Sequence, residues 1–430
     1  MDCLRIEGRR PLAGSVAVSG AKNGALPIMA ASLLAEAPIF LRNVPKLTDV
    51  DTLALVLERL GMSVNRTADD RLRLETLDDS PYRAPTRYVH RMRAAFCVLG
   101  PLLARRGRAV VALPGGCKIG SRPVDLHLKG LAALGADIRV QGDRVIGKAR
   151  RLRGATIDLA GPRGPTVTGT ANVLSAAVMA QGRTTIQGAA CEPEIVDLGR
   201  FLIAMGADIT GLGTQTIQVV GQRRLGGASH RVIPDRIEAA TLLLAPALAG
   251  GWVRIEGVIP QHLRASLDCM HAAGIELSVD ESSVLAKAPD RLRPLEIAAR
   301  PYPDLPTDLQ AQFTALAAMA QGASRVRDYV FPGRTAHLCE LGRMGAWISR
   351  TGRSIRVDGA SELQGVAVRA SDLRASAALV LAGLAAWGTT IVTHAHHLDR
   401  GYERLDEKLN ALGARIERAK STQPVRLAGS

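Results

Sequence analysis

The chain has few aromatic residues, few cysteines and no long apolar run, and each shortage excludes a class of protein. Only 3% of its 430 residues are aromatic, too few to supply stacking platforms for single-stranded nucleic acid. The longest weakly polar stretch, Ala375 to Trp387, is well short of the roughly 20 residues that a membrane-spanning helix needs. The N-terminal sequence MDCLRIEG has no basic segment followed by an apolar core, so we predict no secretory signal and expect a cytoplasmic protein.

The six cysteines are scattered and form no CxxC pair. In a chain of this size that pattern indicates reduced thiols rather than a disulfide framework. The densest group of histidines, HAHH at 394–397, has no cysteine partner at zinc-ligand spacing. We therefore expect no metal ion and interpret HAHH as a solvated or partner-facing cluster.

The chain carries a formal net charge of +15, which attracts either nucleic acid or an anionic small molecule. The basic residues are spread along the chain instead of forming a tail. Together with the scarcity of aromatic residues, this favours an anionic substrate over a nucleic-acid partner.

One pattern occurs six times: a segment with apolar residues at helical spacing, a glycine, and then an alternating run typical of a strand. A helix that ends at a left-handed glycine and leads into a strand has this pattern. We call these positions the turn glycines; they are Gly61, Gly135, Gly206, Gly274, Gly345 and Gly413.

A second glycine lies about 25 residues before five of the turn glycines, at the end of an Ala/Leu-rich segment and before a short β-like run. Each repeat of about 70 residues therefore contains at least two helices and several strands. Such repeats are too long for a solenoid, and three of them make a domain of ordinary size. The junction at 226–234 divides the six repeats almost evenly.

The segment VSGAKNGALPIMAASLLA places Lys22 and Asn23 between glycines, after a short β-like run and before an Ala/Leu-rich helix. Backbone N–H groups and a cation at such a position are typical of a phosphate site. The segment lacks the GxxxxGK[ST] pattern of nucleotide-hydrolysing loops. Lysine is also unusual in this chain, because arginine supplies 47 of the 55 basic residues. A surface turn with a solvated lysine is the alternative.

In ALPGGCKIGSRPVDLHLKG, Cys117 lies among glycines and close to Lys118 and Arg122. Neighbouring cations favour the thiolate, which makes Cys117 the strongest candidate for a reactive thiol. Cys97, in AAFCVLG, is interpreted as a buried small hydrophobe.

Further candidates lie in the second half of the chain. They are Asp308 in LPTDLQAQF, Asp372 and Arg374 in SDLRASAALVLAG, and Arg400 in LDRGYERLDEKL. Helix N-caps for the two aspartates, and a surface ion pair of Arg400 with Asp399, are the alternatives.

Read in order, SGAKNGALP, NVPKLTDVDT, PGGCKIGSRPVDLH, EPEIVD, PDRIEA, PTDLQAQFT, DLRASAALVLAG and HLDRGYERLDEKL resemble the UDP-N-acetylglucosamine 1-carboxyvinyltransferases, a family of enolpyruvyl transferases. The resemblance extends from Met1 to about Arg418. It implies an α/β fold of two inside-out α/β barrel domains, each of three repeats around buried helices, with the substrate cleft between them. The expected domains are 22–233, carrying a mobile Cys117 loop, and 1–21 plus 234–430, with a polar tail after about 419.

The resemblance also implies the reaction. The enolpyruvyl group of phosphoenolpyruvate is transferred to the 3-hydroxyl of UDP-N-acetylglucosamine and phosphate is released, as the first committed step of peptidoglycan precursor synthesis. The implied substrates are these two anions, no metal or organic cofactor is implied, and the sequence predicts no particular protein partner.

By the same resemblance, Cys117 is the expected proton donor and Asp308 the expected base facing the sugar hydroxyl. Lys22, Arg122 and Arg400 are expected around phosphoenolpyruvate. Asp372 and Arg374 form a motif of the cleft, with Asp372 expected to be catalytic, like Lys22 and Arg400, and Arg374 expected to bind substrate. The other implied substrate contacts are Asn23, Arg93, Pro123, Val124, Asp125, Leu126, Val330 and Arg334.

The chain departs from the family pattern in binding detail. It has AGPRGPTVT where relatives often carry Lys and Ser, which leaves contacts at Gly161 to Arg163 open. FPGR replaces the common FENR but keeps Arg334, and Thr48 stands where some relatives have Lys.

Two alternatives to this function are a shikimate-pathway enolpyruvyl transferase and a catalytically retired paralogue that binds the UDP-sugar and regulates a partner. The first is expected to have SKS in place of AKN and to lack the PGGC loop. The intact Lys22, Cys117, Asp308 and Arg400 argue against the second.

Overall fold

The computed structural model describes residues 2–115, 123–359 and 362–420. The described chain divides into two compact units: a first unit of residues 20–115 and 123–233, and a second unit of residues 2–19, 234–359 and 362–420. The domain prediction placed the two crossings after residues 21 and 233, whereas the units divide after Ser19 and Ile233.

The two units contain 13 α-helices and 25 strands within the described residues. The helices are α1 (Lys22–Ala31), α2 (Thr48–Arg59), α3 (Thr86–Val89), α4 (Leu99–Arg106), α5 (Asp125–Ala133), α6 (Val167–Ala177), α7 (Pro193–Ala204), α8 (Arg236–Ala249), α9 (Arg264–Ala272), α10 (Gln310–Ala318), α11 (Ala336–Arg343), α12 (Leu373–Ala385) and α13 (Leu405–Ala411). Short 3-10 helices span Ser32–Leu34, Arg93–Val98, Pro260–Leu263, Thr307–Leu309 and Ala395–Arg400.

The strands are β1 (Asp2–Glu7), β2 (Leu12–Ala17), β3 (Ile39–Arg42), β4 (Met62–Arg66), β5 (Leu72–Thr76), β6 (Arg108–Ala112), β7 (Asp137–Gln141), β8 (Arg144–Lys148), β9 (Thr156–Asp158), β10 (Ala160–Gly161), β11 (Gly164–Pro165), β12 (Arg183–Gln187), β13 (Asp208–Thr210), β14 (Thr216–Val220), β15 (Ala228–Arg231), β16 (Gly251–Glu256), β17 (Glu276–Val279), β18 (Ser283–Lys287), β19 (Glu296–Ala299), β20 (Ala323–Asp328), β21 (Trp347–Thr351), β22 (Ser354–Asp358), β23 (Ala367–Arg369), β24 (Thr389–Thr393) and β25 (Arg415–Lys420).

Three sheets form the first unit, with strand orders β15-β3-β5-β4, β6-β8-β7 and β13-β14-β12-β9. In the last of these, Ile186 of β12 lies opposite Ile157 in a parallel pair and opposite Ile217 in an antiparallel pair. All three of these isoleucines are buried, so this register directs one apolar face of the sheet into the core. The first unit also contains the short β10-β11 hairpin.

The second unit repeats the arrangement, with orders β17-β18-β16-β2, β19-β20-β22-β21 and β23-β24-β1-β25. Each of these sheets has one parallel pair beside antiparallel pairs, whereas β6-β8-β7 of the first unit is antiparallel throughout. In the middle sheet, for example, Val326 lies opposite Ile297 in a parallel pair and Ile355 in an antiparallel pair.

Helices that are buried on nearly every side fill the interior of each unit; in the first unit, nine of the eleven residues of α6 are buried. All nine residues of α10 are buried, as are twelve of the thirteen residues of α12. α10 and α12 pack on each other and on α8. A helix rich in Ala, Leu and Val all round has no solvent face to present, and it is therefore stable only when other elements surround it.

The turn glycines have the structure that the sequence predicts. Their φ angles lie between 84° and 104°, the left-handed region that an L side chain enters only with strain. In every case a helix ends two residues before the glycine, and a strand begins one or two residues after it.

Candidate active site

Within the described chain, the predicted site residues fall into two groups, one in each unit. Cys117 and Arg122 lie outside the described residues.

In the first unit, Lys22 and Asn23 are the first two residues of α1. The preceding residue, Ala21, donates its backbone N–H to the carbonyl of Ile233 at 2.7 Å, which fixes the start of the helix. The Lys22 ammonium contacts Asp49 at 3.3 Å, and both residues are buried. The alternative of a solvated surface lysine is therefore wrong.

Arg93 and Pro123 come together in the same unit, since Nη2 of Arg93 donates to the carbonyl of Pro123 at 2.9 Å. Val124 precedes α5, which begins with Asp125 and Leu126. The Leu126 side chain lies beside Gly161 of β10, where a Cβ would come within 3.0 Å of it. The predicted substrate contacts from Arg93 to Leu126 therefore lie next to the β10-β11 hairpin. The sequence leaves the substrate contacts of that hairpin open.

In the second unit, Asp308 lies in the 3-10 helix that precedes α10, and its carboxylate binds two arginines. Oδ1 accepts from Arg334 at 2.9 Å and Oδ2 accepts from Arg374 at 2.8 Å. The two arginine side chains are only 6% and 2% exposed, against 23% for Asp308. Two guanidinium groups on opposite oxygens stabilise the ionised carboxylate and fix its orientation.

Arg374 is the more deeply buried of the two arginines and lies 5.2 Å from the ring centre of Tyr402. Burial by itself would lower the pKa of this guanidinium, but Asp308, with Tyr402 and Asp235, reverses the effect and raises it. Arg374 therefore remains a cation in the interior of the unit.

The other acidic candidate, Asp372, binds the start of α12. Its Oδ1 accepts the backbone N–H groups of Arg374 at 2.9 Å and Ala375 at 3.1 Å, while Oδ2 accepts from the Ser371 hydroxyl at 3.2 Å. These are the contacts of an N-cap. Because the cap fixes the backbone of Arg374, Asp372 helps to position the guanidinium that holds Asp308.

Arg400 ends the 3-10 helix Ala395–Arg400, which contains most of HAHH. Of its histidines, His396 is exposed and His397 is half-buried. Burial, with the neighbouring His396 and Arg400, lowers the pKa of His397 to about 4. The carboxylate of Asp399 binds Arg418 through both oxygens, at 2.8 and 2.9 Å.

The model of the EPSP synthase (3-phosphoshikimate 1-carboxyvinyltransferase) family matches residues 6–409. The UDP-N-acetylglucosamine 1-carboxyvinyltransferase of Anaeromyxobacter sp. strain K is 50% identical over 98% of this chain and 100% of its own length. The chain belongs to the UDP-N-acetylglucosamine 1-carboxyvinyltransferases. UDP-N-acetylglucosamine 1-carboxyvinyltransferase 2 of Carboxydothermus hydrogenoformans is 48% identical over 97% of this chain and 99% of that protein.

Solved structures show the same fold. The enolpyruvyl transferase NikO from Streptomyces tendae has a TM-score of 0.89 at 28% identity and covers 98% of this chain and 99% of that one. EPSP synthase from Acinetobacter baumannii has a TM-score of 0.75 at 19% identity, over 98% and 100% of the two chains, which shows the fold. The predicted family and fold class are therefore confirmed.

Sequence reasoning missed several residues that support the site of this carboxyvinyltransferase. Asn172 of α6 accepts from Gly100 N at 2.6 Å through Oδ1, while its Nδ2 donates to the Phe96 carbonyl at 2.9 Å and to His127 Nδ1 at 3.0 Å. His127 therefore carries its proton on Nε2, 3.2 Å from the Thr168 hydroxyl. This buried network joins α5 to the 3-10 helix of Arg93, and no motif in the sequence announces it.

Asp328 is a second such residue in this carboxyvinyltransferase. It accepts from the Thr307 hydroxyl at 2.6 Å and from the backbone N–H groups of Val330 and Phe331 at 2.9 and 2.7 Å. It thereby connects the predicted Val330 contact to the 3-10 helix that carries Asp308.

Among the described residues of this transferase, no three His, Cys, Asp or Glu side chains are grouped so as to hold a metal ion. The described helices also include none that is long and apolar enough to cross a membrane.

Proposed function

We propose that this protein transfers the enolpyruvyl group of phosphoenolpyruvate to the 3-hydroxyl of UDP-N-acetylglucosamine and releases phosphate. The observation that carries the proposal is the 50% identity over 98% of the chain to a protein named for that reaction. The geometry supports it, because the described residues include a carboxylate fixed by two arginines and a buried lysine at a helix start.

In this proposal Asp308 accepts the proton of the sugar 3-hydroxyl. The hydroxyl oxygen bonds to C2 of phosphoenolpyruvate, and C3 gains a proton to become a methyl group. Phosphate then leaves C2 as C3 loses a proton, which restores the carbon–carbon double bond. Arg334 and Arg374 hold the Asp308 carboxylate in a fixed orientation, as a proton acceptor requires.

The proposed phosphoenolpyruvate contacts are Lys22, Arg122 and Arg400. A lysine at the start of α1 adds its charge to that of the helix N-terminus, where anions are stabilised. Fixed cations of this kind favour a transition state in which charge develops on phosphate and carboxylate oxygens. The proposed UDP-sugar contacts are Asn23, Arg93, Pro123, Val124, Asp125, Leu126, Val330 and Arg334. We place this reaction in the cytoplasm, at the start of peptidoglycan precursor synthesis.

Phosphate release tests the proposal. The purified protein is incubated with phosphoenolpyruvate and either UDP-N-acetylglucosamine or 3-phosphoshikimate, and the products are identified by mass spectrometry. We expect phosphate and an enolpyruvyl UDP-sugar with the first acceptor only. Phosphate with 3-phosphoshikimate alone would assign the protein to the shikimate pathway, and UDP-sugar binding without any phosphate would indicate a retired paralogue.

Cys117, as the proposed proton donor, has its own test. An epoxide mimic of phosphoenolpyruvate such as fosfomycin should alkylate it, and faster when UDP-N-acetylglucosamine is present. Cys117→Ser should abolish labelling. Cys97→Ser should not, because burial raises the pKa of the Cys97 thiol to about 12. An adduct mapped to another cysteine would remove Cys117 from the reaction.

A further inference from the structure

We propose that Asp49 is a positioning residue of the phosphoenolpyruvate site, which holds the Lys22 ammonium in place between turnovers and competes with the anionic substrate for it. The proposal rests on the proposed function, in which Lys22 binds phosphoenolpyruvate.

The contact between the two side chains is buried and specific. Lys22 Nζ lies 3.3 Å from Asp49 Oδ2, and the side chains are only 10% and 6% exposed. Lys22 is the first residue of α1 and Asp49 the second residue of α2, two helices that pack against each other. A long lysine side chain has many rotamers in water, so a carboxylate at this distance selects those that keep the ammonium at the start of α1.

The neighbouring acid shows that helix electrostatics alone do not explain Asp49. Asp51 lies in the same first turn of α2 and carries the same charge, yet it is exposed. An acidic side chain stabilises a helix N-terminus from the surface as well as from the interior. Asp49 is instead buried against Lys22. A buried ion pair contributes little to the stability of a fold, because removing the two charges from water costs free energy.

The Asp49 carboxylate also repels the anionic substrate. A phosphate or carboxylate group that approaches Lys22 meets the negative charge of Asp49 at close range, in a region with little water to screen it. Tight ground-state binding does not raise the rate of the chemical step. Asp49 therefore raises KM by repelling the substrate, and it raises kcat by keeping the ammonium oriented.

Asp49→Asn separates these two effects, because the amide keeps the size and one oxygen but loses the charge. We expect the dissociation constant for phosphoenolpyruvate, measured by calorimetric titration, to fall about 3- to 10-fold as the repulsion is removed. We expect kcat for phosphate release to fall at least about 10-fold as Lys22 loses its fixed position. Asp49→Glu, which restores the charge, should return the dissociation constant toward that of the parent.

Asp51→Asn is the matched control, since it removes one charge from the same helix turn at an exposed position. It should change neither constant by more than about twofold. Because the titration needs no turnover, it tests Asp49 even if the parent protein releases no phosphate, a result that would defeat the proposed function alone. An unchanged or weaker affinity in Asp49→Asn, or the same gain in Asp51→Asn, would overturn the proposal.

Discussion

At the scale of single residues, Asp308 has a carboxylate whose two oxygens each accept a hydrogen bond from a different arginine. Such charge-assisted bonds fix the side chain in one orientation. The proposed proton transfer therefore depends on how the sugar hydroxyl is placed against this fixed carboxylate.

Asp308→Asn should bind both substrates but lose about 10²- to 10⁴-fold in kcat, since an amide cannot accept the proton. The measurement is phosphate release at saturating substrate, with calorimetric titration of UDP-N-acetylglucosamine. Asp304→Asn, an exposed carboxylate four residues earlier, is the control and should stay within a few-fold of the parent. If Asp308→Asn does the same, Asp308 has only a structural role.

His337 lets the stability of the fold be tested through pH. It is 1% exposed, and neither ring nitrogen has a hydrogen-bond partner among the described residues. Burial lowers the pKa of this imidazole to about 4, with Asp372 opposing the change and Arg334 reinforcing it. In the unfolded chain the His337 imidazole binds a proton near pH 6.5, whereas in the folded chain it binds one only near pH 4. Acid therefore favours unfolding across that window.

We expect the free energy of unfolding to fall by up to about 1.4 kcal/mol per pH unit from this residue as the pH decreases from 6.5 to 4. Urea denaturation at several pH values measures it. His337→Met, an apolar side chain of similar volume, should flatten the slope, and His396→Gln, at an exposed position, should leave it unchanged. Equal slopes for His337→Met and the parent would contradict this account.

The sequence identified candidate residues but not their partners. Asp308, Arg334 and Arg374 were all predicted, yet nothing in the chain shows that three segments separated by 26 and 40 residues meet at one carboxylate. The contact between Lys22 and Asp49 was equally unpredictable from the sequence, because it depends on how α1 and α2 pack. Cys117 and Arg122 stay predictions.

At the scale of helices and strands, the turn glycines were predictable because their cause is local. Whether a helix ends in a left-handed residue depends on a few adjacent residues. A glycine in the sequence indicates where that residue lies. The pairing of β9 with β12 is not local, since a parallel partner is reached only through α6. Strand order and the 3-10 helices therefore did not follow from the sequence.

Gly342 and Gly345 test this explanation within one helix end. Gly342 lies inside α11, where a Cβ would meet nothing within 4 Å, whereas Gly345 follows the helix at φ 101°. We expect Gly342→Ala to stabilise the protein by about 0.5–1 kcal/mol through helix propensity. Gly345→Ala should destabilise it by about 1–2 kcal/mol through left-handed strain. Thermal or urea unfolding measures both, and the same sign for the two variants would contradict the explanation.

At the scale of the whole molecule, the net charge of +15 and the sequence pI of about 10.2 surround any anion with a positive field. Many of these cations are exposed and paired with acids, such as Arg139 with Asp137 and Arg404 with Glu407. Exposed pairs contribute little to stability. The excess of positive charge therefore matters more for attracting substrate than for holding the fold.

This field should appear as a dependence of KM on salt. Raising potassium chloride from about 0.1 to 1 M shortens the screening length from about 10 to 3 Å, so the KM for phosphoenolpyruvate should rise several-fold while kcat stays within about twofold. Contacts inside the site, such as Lys22 with Asp49, are buried and little screened. Sucrose at matched osmolality is the control and should leave KM unchanged. A constant KM across the salt range would show that local contacts alone bind the anion, and a loss of kcat at constant KM would point to an effect of salt on folding.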